Sequence, residues 1–222
     1  MSNIDYWTTR QYNSFMKAAV KPQKRKPAAE RREEIIEAAS RIAVREGLES
    51  LTVRRVAEEL GVVSGLVSHY FPVNEDLIVA AFAHAASGGR EYLFASLDPS
   101  GTPIEHMASL LKILSSSESS GEISLLWMDA WQATRRRPVL RAEVARQMLA
   151  WQERMRLLIM RGVKAGVFRV AHPKSAAGRI MALIDGLSVQ AAMRASIPFQ
   201  PVIDLVMETV ERELGLSPGT LR

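Results

Sequence analysis

Apolar side chains recur along this chain at spacings of three and four, and a period of two never persists, so the pattern predicts an all-α protein. The first firm helix is "AAERREEIIEAASRIAVREG". Ile35, Ala39, Ile42 and Ala43 share one face, Glu30, Glu33 and Glu34 sit in early turns where the helix dipole favours acids, and Gly47 is a fitting stop. Thr52 is a good N-cap for "VRRVAEEL", whose apolar stripe is Val53, Val56, Ala57 and Leu60 and whose end is Gly61. A helix of about two turns is marginal alone and must be held by its neighbours. A third short helix is predicted over 63–70. Its rows Val67–Phe71 and Leu66–Tyr70 can turn inward, which leaves Ser64, Gly65, Ser68 and His69 on the other side.

A long helix then opens near Asn74 and runs through "LIVAAFAHAASGGREYLFASL", until "DPSGTP" at 98–103 breaks it. "IEHMASLLKILSS", a Ser/Glu-rich link and "ISLLWMDAWQATRR" follow. Pro138 opens a long helix striped by Leu140, Val144, Met148, Trp151, Met155, Leu158 and Gly162, and the last two helices fall over 174–195 and 201–214. The layout is a basic arm over 1–27, a three-helix module over 28–73, a larger helical domain over 74–216 and a tail over 217–222.

Three short helices with a turn at Gly61 form a helix-turn-helix pattern. The major groove of B-DNA admits one α-helix, which the first two helices would present. Ser64, Gly65 and Ser68 are small enough for close approach, and hydroxyls, the His69 imidazole and the Tyr70 phenol can donate to phosphates or read base edges. On spacing alone, three small helices of an ordinary α-helical domain fit equally well.

Charge sharpens this picture. The 222 residues carry a net +5, and seven basic residues between Lys17 and Arg32 face a single acid, Glu30. Residues 1–80 as a whole hold twelve basic and eleven acidic groups, a net of +1, so any anion-binding face is a local patch. Lys24, Arg25 and Lys26, in the Pro-punctuated "KPQKRKP", are candidates for phosphate contacts along a minor groove. Cysteine is absent, so there is no disulfide framework or thiolate site, and a reducing cytoplasm is the easiest compartment to assume. No apolar run approaches the ~20 residues of a membrane span. The histidines at 69, 84, 106 and 172 are scattered, so no metal and no cofactor is expected. Nucleophile elbows, phosphate-binding glycine loops and paired acid–base motifs are all missing, which argues against an enzyme.

"RREEIIEAASRIAVREGLESLTVRRVAEELGVVSGLVSHYFPVNEDLIVAAF", about residues 30–82, resembles the N-terminal domain of the TetR family of bacterial transcriptional regulators. The "SHYF" form, with "GVKAGVFR" and "ALIDGL" downstream, is similar to the subgroup that contains the choline-responsive repressor of betaine synthesis. The resemblance implies a homodimeric repressor, released from double-stranded operator DNA by a small-molecule effector. It implies that Thr52 and Arg54 meet phosphates and that Ser64, Gly65, Ser68, His69 and Tyr70 form the recognition surface. Arg55 reads equally as a solvated face, and Tyr70 as a core residue with a wet hydroxyl. Three departures stand out. Val63 replaces the usual capping Ser, so either Ser64 caps the helix one residue later or the helix begins uncapped. Asn74 stands where a Lys often meets phosphate, and Ser68 replaces a common Tyr.

The resemblance also implies an effector cavity among the middle helices, lined by Phe82, Phe94, His106, Trp127, Trp131, Trp151 and Met155. Such residues are usually core. As a cavity they suit an apolar or aromatic ligand, or a quaternary ammonium in an aromatic cage. The stripes Ala177, Ile180, Ile184, Leu187 and Ala191, then Val202, Leu205, Val206 and Thr209, suit close helix packing, which reads as intramolecular core or, as the resemblance implies, as a two-fold four-helix dimer interface. The rival function is a helical protein-interaction adaptor without DNA binding.

Overall fold

The structure, a computed structural model, describes residues 27–115, 121–192 and 200–222. Among these, nine α-helices follow one another: α1 Ala28–Glu46, α2 Val53–Leu60, α3 Ser64–Tyr70, α4 Asn74–Ala95, α5 Pro103–Ser115, α6 Gly121–Ala133, α7 Pro138–Lys164, α8 Pro173–Ala192 and α9 Gln200–Leu214. No described residue is in a strand. Three helices open on proline, whose fixed φ and missing N–H cost nothing in a first turn. Helix α5 adds a reciprocal cap that the "TPIE" stretch encodes: Thr102 Oγ1 accepts from Glu105 N at 3.2 Å, and Glu105 Oε2 accepts from Thr102 N at 2.7 Å.

The chain divides into two compact units, Met1–Gly88 with Leu125–Ala145, and Gly89–Ser124 with Arg146–Arg222. In the first, Ile35, Ala39 and Ile42 of α1 are buried as their spacing requires, with Val56, Val67, Phe71 and Leu77. An exposed ion cluster joins α1 to α2: Arg55 donates to Glu46 at 2.6 Å and to Glu59 at 3.1 Å, and Arg45 also reaches Glu59. The hydrogen bond from Arg55 holds the Glu46 carboxyl below its ordinary pKa.

The second unit has its own core, built from α5, α7, α8 and α9 around Met107, Leu110, Met155, Ile159, Ile180 and Val210. Its α7 ends in "GVKAGVF". Gly162 lies under the Phe168 ring, Gly166 takes φ 73°, and Arg169 N donates to Leu214 O of α9 at 2.9 Å. The last residues, expected as a tail, are docked: Leu221 belongs to the core, and the buried Glu211 of α9 accepts from Leu221 N and Gly219 N.

Asp185 on α8 is half-buried, and the loss of solvent pushes its pKa from 3.8 up to about 6. The folded chain therefore holds a proton there that the unfolded chain releases. Its stability falls as pH rises from about 4 to about 6, and the penalty is fully present at pH 7. Asp185→Asn is expected to gain about 1–2 kcal/mol at neutral pH, after discounting for partial solvation. It should also flatten melting temperature against pH between pH 4 and 7. An identical pH dependence in the variant would exclude Asp185 as its source.

Candidate DNA-reading surface and effector region

Helices α2 and α3 are placed by their ends. Thr52 caps α2, its Oγ1 accepting from Arg55 N at 3.1 Å. At the other end Gly61 takes a left-handed φ of 65°, Gly61 N donates to Glu58 O at 3.2 Å and Val62 N to Ala57 O at 3.0 Å. This pair of bonds closes the helix and turns the chain sharply into α3, at a φ that only glycine adopts without strain. Helix α3 is then anchored by one side chain, Val67, which is 0 % exposed, and by the buried Phe71 that follows it.

With that anchor fixed, Ser64, Gly65, Ser68 and His69 are all exposed, and Tyr70 is half-buried with its ring edge-on to His69 at 5.3 Å. A Cβ on Gly65 would meet no atom within 4 Å, so the fold itself does not demand glycine there. Ser64 does not cap the helix. The capping position belongs to Val63, which is 76 % exposed and makes no side-chain bond, so α3 begins uncapped. Arg54 is exposed and bonded to Glu58, while Arg55 is half-buried and committed to the ion cluster. Asn74 has a role that the sequence pattern did not reveal: its Nδ2 donates to Leu51 O at 3.2 Å, tying the start of α4 to the residue before the α2 cap. Lys24, Arg25 and Lys26 lie outside the described residues.

The same unit latches α6 to this module. Asp129 Oδ2 accepts from Leu48 N at 3.2 Å, just after the α1 turn at Gly47. Arg137 stands 3.7 Å from Glu49 and 3.6 Å from Glu75. Trp127 packs edge-on to buried Phe82, with ring centroids 5.1 Å apart, and against Trp131 at 5.8 Å. These three aromatic residues of the expected effector set thus belong to the first unit and pack on one another. The other four belong to the second unit. There Phe94 and Trp151 lie 6.0 Å apart, Met155 is in the core, and His106 is buried with Nε2 2.6 Å from Asp98 O.

Helices α8 and α9 pack on each other. Of the residues expected at a dimer interface, Ala177, Ile180, Ile184, Leu187 and Val206 are sealed in the chain's own core. Val202 packs beside it, Thr209 bonds back to Leu205 O, and Leu205 is 58 % exposed. The Ala191 side chain lies outside what is described. The outer face of α8 carries instead Gly178, Ala182, Gly186 and Val189. Among the described residues, no helix is long and apolar enough to cross a membrane, and no His, Asp and Glu side chains cluster as a metal ion would need.

Comparison with known proteins matches residues 35–81 to the tetR family of bacterial regulatory proteins and residues 105–215 to the C-terminal region of the BetI-type transcriptional repressors. The HTH-type transcriptional regulator BetI of Brucella suis is 26% identical over 191 residues, which cover 85% of this chain and 94% of that protein. Among solved structures, a TetR-family regulator from Rhodococcus sp. superposes with a TM-score of 0.71 at 23% identity, covering 84% of this chain and 99% of the other. A transcriptional regulator from Saccharomonospora viridis, solved in complex with choline, gives 0.70 at 23% identity over 84% and 98%.

Proposed function

The chain belongs to the TetR family of bacterial transcriptional regulators, with a C-terminal region of the BetI type, and from that membership we propose that it acts as a homodimeric repressor released from a near-palindromic operator by a small molecule. The observation that carries the DNA-reading part is α3 itself. Its buried anchor Val67 is sealed inward, while Ser64, Gly65, Ser68 and His69 are exposed and Tyr70 is half-buried beside them. Two such helices about 34 Å apart, one per protomer, meet successive turns of the major groove. Thr52 Oγ1, already accepting from its own helix, keeps its hydroxyl proton for a phosphate, and Arg54 adds a cation beside it.

The outer faces of α8 and α9 supply the dimer contact in this reading. Gly178 and Gly186 have open space where a Cβ would stand, and Ala182 lies between them, so a partner helix can approach closely. Leu205 adds exposed apolar surface from α9. Release follows when a ligand prefers a state in which the two α3 helices have another spacing. The Asp129–Leu48 bond and the Arg137 pairs are the links through which a shift of α6 reaches the reading helices.

His69→Ala and Ser68→Ala are each expected to weaken binding to the duplex upstream of the protein's own gene by about 5- to 100-fold, the worth of one good base contact. Sedimentation should show an unchanged dimer. Fluorescence anisotropy at several salt concentrations makes the measurement. Unaltered affinity in both variants removes α3 as the reader, and no duplex binding even at low salt favours the protein-interaction adaptor.

A further inference from the structure

We propose that the second unit binds a small apolar carboxylate bearing a hydroxyl group, in a cavity lined by the end of α4, the loop after it, α5 and α7; this rests on the effector-released reading above. The cavity measures about 350 Å³, inside the range of roughly 300–1,000 Å³ usual for small-molecule sites. Phe94, Leu97, Leu157 and Leu158 give it apolar walls.

Its charge is positive. Arg154 and Arg161 line it, and Asp98 is the sole acid of the lining. The Asp98 carboxylate is already taken by Ser100, through N at 2.9 Å and Oγ at 2.7 Å. Arg161 has no ion pair among the described residues. Arg154 stands 3.6 Å from Glu91, and its guanidinium lies 4.6 Å from the centroid of the Phe94 ring.

Two lining side chains also hold buried polar atoms with no partner, His106 Nδ1 and Arg154 Nε. Folded proteins rarely leave such atoms unsatisfied, so both are open to a partner from the cavity, whether water or ligand. Their chemistry differs. His106 is 4 % exposed, and its Nε2 lies 2.6 Å from Asp98 O, a carbonyl that only accepts. Nε2 therefore carries a ring proton, and in the tautomer this selects Nδ1 is an acceptor in want of a donor. Arg154 Nε is a donor in want of an acceptor. An anion for the arginines, a hydroxyl for His106 and an apolar body between them satisfy all three features. A quaternary ammonium meets two cations here and is repelled.

The test uses the full chain and isothermal titration with hydroxyphenylpropionate, phenylpropionate, the corresponding amide and the trimethylammonium counterpart. The hydroxy acid is expected to bind one per chain, loss of its hydroxyl to weaken binding about tenfold, and amidation or Arg154→Gln to weaken it about tenfold or more. Arg161→Gln, at an exposed position, should also weaken it and serves if the Arg154 variant melts early. Failure of both carboxylates to bind, binding unaffected by both arginine variants, or tighter binding of the ammonium would each overturn the site. Operator affinity is read on the same samples by anisotropy. A carboxylate that binds without loosening DNA leaves the site standing and refutes effector release. Intact DNA binding with no carboxylate binding refutes the site alone.

Discussion

Gly162→Ala is expected to lower the unfolding free energy by about 2–3 kcal/mol, as overpacking of a filled core does, and the melting temperature by roughly 5–10 °C. The added Cβ would fall 2.0 Å from Phe168 Cδ2 and within 2.5 Å of Cε2 and Cγ, so the new methyl meets the body of the ring and not a flexible tip. The ring has little freedom to yield. Phe168 is 3 % exposed and packs in the second unit's core, while Val167 N and Phe168 N both donate to Gly162 O at 3.0 and 3.1 Å. Those bonds pull the chain back over the glycine, and Gly166 with its positive φ makes the reversal possible. Urea denaturation provides the measurement. Phe168→Leu in the same chain should recover part of the loss, because the two positions share one space. A change below about 0.5 kcal/mol for Gly162→Ala would mean that the ring relocates freely.

The second large effect is at Glu211. Replacement by alanine is expected to cost about 2–3 kcal/mol, since one buried and one part-buried N–H group lose a charged acceptor. Glu211 Oε1 accepts from Leu221 N at 2.8 Å and Oε2 from Gly219 N at 2.9 Å. Glu211→Gln keeps the volume but sets an amide NH₂ against one of the two donors, so about half the loss should remain. A chain cut after residue 216 has no N–H groups for the carboxylate to hold, and there Glu211→Gln should change little. An equal effect in the full and shortened chains would disprove the staple.

Local rules made much of the first unit legible. Thr52 and Gly61 mark the ends of α2 because capping and left-handed turns depend on one residue and its immediate neighbours. The Ile35–Ala39–Ile42 face is buried because its period matches the helix. The display of Ser64, Gly65, Ser68 and His69 followed once Val67 was taken as the inward residue. Periodicity says that a face is apolar without saying what covers it. Ala177, Ile180, Ile184 and Leu187 therefore suited core and interface alike; the resemblance assigned them to an interface, and the chain buries them itself. Trp127, Trp131 and Trp151 read as one cluster, yet the structure gives the first two to one unit and the third to the other, a partition no spacing encodes. The bond from Asn74 to Leu51 O and the docking of Leu221 depend on pairs 23 and 10 residues apart. The Thr102–Glu105 cap was local and readable, and "TPIE" is its signal.

The brevity of α3 also bears on genetics. Seven residues without a side-chain cap hold their shape only while Val67 stays seated. A screen for cells that have lost repression would therefore collect many lesions at Ile35, Ile42 or Val56, none of which touches DNA, and thermal rescue at low growth temperature should sort these from true contact mutants.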